Sequence, residues 1–131
     1  MVNTSYPNFR QLFEAAPGLF IAVLPDFKII AASDAYLKAA QTTREKIINK
    51  DFFDIFPDNS EQLGSRGASV KESFLKVLST GLSDIMPPRK YDMPRPESAG
   101  GGFDVVYWDA VNTPVLGLEG GDFYLIRRVK D

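Results

Sequence analysis

Apolar residues recur at helical and then at strand spacing in the first third of the chain. Residues 8–16 carry one apolar stripe, which predicts a short helix that ends at Pro17–Gly18; its members are Phe9, Leu12, Phe13 and Ala16. Two mostly apolar runs follow at residues 19–25 and 28–33, on either side of Asp26 and Phe27. This arrangement predicts a β-hairpin with a two-residue turn.

Polar residues mark the starts of the helices predicted next. Ser33 is a good N-cap for a helix through residue 40. Thr42 and Glu45 have the spacing of a capping box, which predicts a second short helix to about residue 49. Residues 51–57 hold three phenylalanines and an isoleucine before Pro57, which indicates a short, buried helical turn.

The second half of the chain begins with a helix and continues as strands. Residues 69–80 form the clearest helical pattern, with Ser69 as N-cap and Gly81 as C-cap. Strands are predicted over residues 84–93, 103–116 and 122–129, separated by a Pro/Gly-rich loop and a shorter glycine-rich turn. Strands without strand–helix alternation predict an α+β fold, with helices on one face of an antiparallel sheet.

Composition narrows the chemistry. A length of 131 residues suits a single globular domain. The net charge of −2 gives no basic surface overall, so nucleic acid is a poor candidate partner. The chain has no cysteine and no histidine, so it lacks the usual thiol nucleophile, general base and metal ligands. The N-terminal apolar run is too short to span a bilayer, so direct membrane insertion is not expected.

The order of segments resembles the PAS family of sensory modules over nearly the whole chain. The opening "LFEAAPGLFIAVLPDFKIIAASDAYLKAA" is similar to the family's first hairpin and helix, with Ser33–Asp34 where the family often has asparagine. The segment "REKIINKDFFDIFPDN" is similar to the family's next motif, with Asn49 replacing the usual glycine. The remainder, from "KYDMPRPESAGGG" to "FYLIRRVKD", is similar to a bacterial subgroup met in sensor kinases.

The resemblance implies a five-stranded antiparallel sheet in the order 2-1-5-4-3. Residues 1–131 would form one PAS domain, with residues 1–17 as a helical cap and 18–131 as the core. It further implies a domain cut from a longer, cytoplasmic, bacterial signalling protein of the two-component type. Such a module would bind a small molecule noncovalently or mediate dimerisation, and so control an output domain such as a histidine kinase.

The cofactors of known PAS modules set further expectations. No covalent flavin and no haem are expected, because the first needs a cysteine and the second usually uses a histidine. Met86 or Met93 could serve as an axial ligand, but core packing is the commoner role of methionine. A noncovalent flavin stays compatible, with Trp108 stacking on it and Asn112 bonding its ring. The identity of any cofactor is left open.

A candidate ligand pocket follows from the same resemblance. It would lie between the sheet and the helices of residues 33–40, 51–57 and 69–80. Its candidate residues are Tyr36, Phe56, Phe74, Tyr91, Trp108 and Asn112. For each aromatic residue, simple core packing is an equal alternative, and Asn112 could instead stabilise a bulge or turn.

The acidic residues raise the alternatives of a metal site and an enzyme active site. Asp51, Asp54 and Asp58 would share one helix face and could bind a cation or act as acid and base, but a solvated face explains them better. No catalytic residue and no metal site are therefore expected. A small stand-alone enzyme and a ligand-free interaction domain stay as alternatives to the sensory module.

Assembly is the last expectation. The stripe formed by Phe9, Leu12 and Phe13 belongs to a helix too short to be stable alone in water, so it must be buried against something. A symmetric homodimer would bury it and bring both C-terminal ends together. The alternative is that the helix folds back on its own sheet in a monomer.

Overall fold

The computed structural model describes residues 7–56, 69–117 and 123–130. Its strands are β1 (Leu19–Val23), β2 (Ile29–Ala32), β3 (Asp84–Pro94), β4 (Phe103–Leu116) and β5 (Phe123–Lys130). Its helices are α1 (Phe9–Glu14), α2 (Asp34–Ala39), α3 (Arg44–Ile47), α4 (Phe52–Ile55) and α5 (Val70–Thr80), with a 3-10 turn at Glu97–Ala99. Most of the glycine-rich turn predicted between the last two strands, residues 117–121, falls outside the described residues, as does the polar segment 60–68, for which the sequence predicts a loop.

The five strands form one antiparallel sheet in the order β2-β1-β5-β4-β3. This confirms the predicted fold class and the predicted order. β1 is an interior strand, because Ile21 pairs with Ala32 of β2 on one side and with Arg127 of β5 on the other. β5 is the middle strand and joins the N-terminal hairpin to the β3–β4 hairpin.

The edge strand β3 changes register between Met86 and Arg89. Pro87 and Pro88 occupy this point of the sequence. Because proline has no backbone N–H to give to the ladder, it is tolerated at a bulge of an edge strand. The prolines thus explain the bulge.

Ser33 joins the first hairpin to α2 through three hydrogen bonds. Its buried hydroxyl accepts from the backbone N–H of Tyr36 at 3.2 Å, which is the predicted N-cap. The same hydroxyl accepts from the N–H of Phe20 at 3.0 Å and donates to the carbonyl of Gly18 at 2.7 Å. The start of α2 is therefore fixed to β1.

The predicted capping box at Thr42 is wrong. α3 begins at Arg44, its N-cap is Thr43, and that cap makes no side-chain hydrogen bond. The reason is that the amide of Thr42 bonds to the carbonyl of Leu37 at 3.0 Å and so still belongs to the turn that ends α2. The predicted N-cap of α5 is confirmed, because the hydroxyl of Ser69 accepts from the amide of Glu72 at 3.1 Å.

Asn49 adopts a left-handed backbone conformation, with φ of 68°. Asparagine and glycine are the residues that most readily take this conformation. This explains how asparagine can stand where the PAS resemblance leads one to expect glycine. The Asn49 amide also donates to the carbonyl of Ile29 at 2.8 Å, which ties the turn after α3 to β2.

The core lies on one face of the sheet, under α2 to α5. Ile21, Val23, Trp108 and Leu125 are buried there from three neighbouring strands. On the opposite face α1 contacts the sheet, since the rings of Phe13 and Phe20 lie 6.1 Å apart. Among the described helices none is both long enough and apolar enough to cross a bilayer.

Candidate functional site

A chain of aromatic rings runs through the core between the sheet and the helices. Trp108 of β4 lies 6.0 Å from Tyr36 of α2, which lies 5.9 Å from Phe56, the residue after α4. Phe56 lies 5.2 Å from Phe52, and Phe52 lies 5.3 Å from Phe74 of α5. Four of the six candidate pocket residues therefore belong to one aromatic cluster.

This cluster is closely packed. Tyr36, Phe74 and Trp108 are buried, and only Phe56 is partly exposed. Tyr91 pairs with Val106 in the β3–β4 ladder, but its side chain lies outside the described part of the structure. A ligand contact for these residues stays a prediction.

A cavity of about 250 Å³ opens beside the aromatic cluster. Its apolar wall comes from the end of α2, from α3 and α4, and from the turn after β3; the residues are Ala40, Ile47, Ile55, Phe56 and Pro96. Among the candidate pocket residues whose side chains the structure describes, Phe56 alone lines it. The other lining residues could not be predicted from the sequence, because they lie in short connections and at helix ends, which carry no periodic pattern.

The rim of this cavity is polar and cationic. Among the described residues, Gln41, Thr42, Lys46 and Arg95 also line the cavity. Asp104 of β4 is held behind the rim, where it accepts a hydrogen bond from the side-chain amide of Gln41. The Nε of Arg95 lies 3.5 Å from Asp104 Oδ1. The carboxylate of Asp104 thus positions two of the rim side chains.

Asn112 belongs to a second arrangement, a buried polar network between α5 and the sheet. Its side-chain N–H donates to the hydroxyl of Ser73 at 2.7 Å, and its carbonyl accepts from Arg127 at 3.2 Å. The Ser73 hydroxyl donates to Asp84 at 2.7 Å. Arg127 is only 3% exposed, and its guanidinium also lies 3.5 Å from the sulfur of Met86. Asn112 therefore joins α5 to three strands by hydrogen bonds within the protein.

The hydroxyl of Ser73 lowers the pKa of Asp84 below its ordinary value of 3.8, with a further contribution from the ammonium group of Lys76, and burial opposes both. The ionised carboxylate is thus the form that the folded protein favours. Its contribution to stability is present above the unfolded pKa and is lost as the pH falls through the folded pKa.

We expect the free energy of unfolding to decrease as the pH is lowered below about 4. The decrease should be smaller in Asp84→Asn, which has no carboxyl group to protonate at this position. Urea unfolding at a series of pH values measures this. Asp54→Asn is the control, because Asp54 is an exposed carboxylate on α4. If Asp84→Asn and Asp54→Asn change the acid dependence equally, the Ser73 contact does not matter for stability.

The acidic residues weighed as a cation site are separated by their roles. Asp51 caps α4, because its carboxylate accepts from the amide of Phe53 at 2.8 Å. Asp54 is exposed, and Asp58 lies outside the described residues. Within residues 7–56, 69–117 and 123–130, no group of three potential metal ligands lies together.

The sheet order, with α2 to α5 on one face, defines the PAS fold. No family model and no curated protein sequence matches the chain. Solved structures do, and they confirm the fold. The PAS domain of nitrogen regulation protein NR(II) from Vibrio parahaemolyticus is similar with a TM-score of 0.68 at 7% identity, over 96% of this chain and 99% of that chain.

Two further solved structures are similar to this chain. The PAS domain from Bordetella pertussis BvgS has a TM-score of 0.66 at 14% identity, over 94% of this chain and 82% of that chain. A sensory box sensor histidine kinase from Vibrio cholerae has a TM-score of 0.60 at 15% identity, over 94% of this chain and 87% of that chain. Because the identities are 15% or less, these similarities establish the fold of this chain and nothing further.

Proposed function

We propose that this chain is a sensory PAS module that binds a small molecule noncovalently, dimerises and controls an output domain such as a histidine kinase. The observation that carries the proposal is a cavity of about 250 Å³ that reaches the aromatic core of a PAS fold through Phe56. Similarity to PAS domains of sensor histidine kinases supports the choice of output. We assign no enzymatic activity to the module and place it in the cytoplasm.

A molecule in the cavity would contact the core directly. Phe56 is shared by the cavity and the aromatic cluster, and Trp108 at the other end of that cluster lies on β4. β4 pairs along its length with β5, the last strand. A ligand that moves Phe56 could therefore alter the packing beneath the two strands nearest the C-terminus.

Native mass spectrometry of the chain purified from its own cells tests ligand binding. We expect a dimeric species that carries a small molecule, which mild denaturation releases. With the chain fused to a histidine kinase catalytic core, removal of that molecule should change autophosphorylation. A bare chain in every preparation, together with kinase activity that never depends on the module, would leave a ligand-free interaction domain as the better description.

Dimerisation is supported by α1. Phe13 contacts Phe20, and Glu14 lies 3.2 Å from Arg44, so the C-terminal half of the helix is held against its own chain. Two apolar side chains of the same helix are not covered, because Phe9 is 71% exposed and Leu12 is 61% exposed. A second copy of the chain would bury these two side chains in a contact between equivalent helices.

We expect the double variant Phe9→Ser, Leu12→Ser to be monomeric under conditions in which the parent chain is a dimer. The physical reason is the loss of the apolar area that the two helices bury together. Analytical ultracentrifugation over a range of concentrations measures it. The double variant Leu75→Ser, Leu82→Ser is the control, since both leucines are exposed on α5 or just after it. A parent chain that stays monomeric at high concentration contradicts the dimer.

A further inference from the structure

We propose that the cavity beside Phe56 binds a small carboxylate with an apolar, preferably aromatic, body. This inference rests on the proposed sensory function and names the ligand class for it. The site overlaps the predicted pocket only in part: it shares Phe56 and the helices α2 and α4, but its described lining residues also come from α3 and the turn after β3, and none comes from α5. The residues around it determine both parts of the ligand.

The inner wall selects an apolar body of limited size. Ala40 and Ile47 are buried, and Ile55 and the ring of Phe56 are partly exposed beside them. Drug-sized ligands occupy pockets of roughly 300–1,000 Å³. A cavity of about 250 Å³ is smaller, so it suits a ligand with one ring or a short branched chain. Phe56 offers a ring face or edge to an aromatic ligand.

The rim selects a negative charge. Lys46 and Arg95 both line the cavity, and no acidic residue stands among the described lining residues. Lys46 forms no ion pair with any residue that the structure describes. Among the described residues, Arg95 forms one ion pair, which joins its Nε to Asp104 at 3.5 Å, and this distance is longer than a good hydrogen bond. The terminal nitrogens of Arg95 thus remain to bind a carboxylate.

Further polar groups complete the rim. Thr42 carries a hydroxyl that can donate to a carboxylate oxygen, and Gln41 is held by its hydrogen bond to Asp104. Asp104 is not among the described lining residues, so it contacts Gln41 and Arg95 from outside the cavity and leaves Lys46 without an acidic partner among the described residues. An amine of the same shape would face two cations and should be excluded.

Occupancy can be read from within the protein. Trp108 is the only tryptophan, and it is linked to the cavity through the rings of Tyr36 and Phe56. A ligand that packs on Phe56 should therefore change the fluorescence of Trp108. Calorimetry provides an independent measure of the same binding.

The test compares phenylacetate with phenylacetamide, a neutral molecule of nearly the same shape. We expect the whole chain to bind phenylacetate about tenfold more tightly than phenylacetamide, since hydrogen bonds to charged groups are the stronger ones. Lys46→Gln and Arg95→Gln should each weaken phenylacetate about fivefold, and neither should weaken phenylacetamide. Lys38→Gln is the matched control, because Lys38 is an exposed lysine of α2 that does not line the cavity.

Three results would overturn the inference. They are no binding of phenylacetate at millimolar concentration, equal affinity for the acid and the amide, and equal effects of Lys46→Gln and Lys38→Gln. Failure here is distinct from failure of the sensory proposal. If another small molecule co-purifies with the chain while phenylacetate does not bind, the sensory function stands and the assignment of carboxylates to this cavity is wrong.

Discussion

Replacing Phe74 with alanine is expected to lower the free energy of unfolding by about 3–5 kcal/mol. The side chain is 0% exposed, and its ring lies 5.6 Å from Phe27, 5.3 Å from Phe52 and 5.7 Å from Phe53. Its removal would leave a cavity among rings that are held by two other segments of the chain, the turn between β1 and β2 and the helix α4. Urea unfolding followed by circular dichroism measures the loss.

Leu75→Ala is the control for this experiment. Leu75 is the next residue of the same helix and is 49% exposed, so its truncation should cost less than about 1 kcal/mol. A loss for Phe74→Ala well below 3 kcal/mol would mean that few contacts disappear with the ring. Phe74 would then line open space, as the predicted pocket under α5 requires, and the closely packed aromatic core would be the wrong description.

Asn112→Leu is expected to lower the free energy of unfolding by about 2–3 kcal/mol. Leucine has a similar volume, but it can neither donate to Ser73 nor accept from Arg127. Both of those groups are buried, so each loses a hydrogen bond where water cannot replace it. Thermal and urea unfolding of the two proteins measure the difference.

The matched control is Thr113→Val on the same strand. The Thr113 hydroxyl accepts an exposed hydrogen bond from Ser83 at 3.1 Å, and water can replace that bond, so a change within about 0.5 kcal/mol is expected. A double-mutant cycle with Ser73→Ala adds a second criterion, since the two losses should not add. If Asn112→Leu is neutral, leucine packing compensates for the network, and the network does not hold α5 to the sheet.

The strands could be predicted from the sequence because each carries a pattern that spans its length. Residues 19–25 and 28–33 were apolar enough to identify the hairpin, and Ser33 marked the start of the next helix. The spatial order of the strands, by contrast, could be predicted only from the family resemblance. Pairing between distant strands is not encoded in local periodicity, so the residues alone left it open.

The candidate site could be predicted only in part. A polar residue in a strand is a visible signal, and it identifies Asn112, but it does not identify the partner Arg127. A signal existed, since Arg127 alternates with Leu125 and Val129 and so shares their buried face. The cavity lined by Lys46 and Arg95 could not have been found this way, because these residues are 49 positions apart and meet only through the fold.

The central position of β5 has a consequence for how the protein folds. The β1–β2 hairpin is made early in synthesis and β3–β4 late, and neither half has a strand partner in the other until β5 is present. Leu19 must find Val129 across nearly the whole chain. Pairings this distant in sequence slow folding, because a large loop must close before any contact rewards it. A nascent chain would therefore expose the edges of β1 and β4 until β5 leaves the ribosome. During this interval the unpaired strand edges make the chain prone to aggregation.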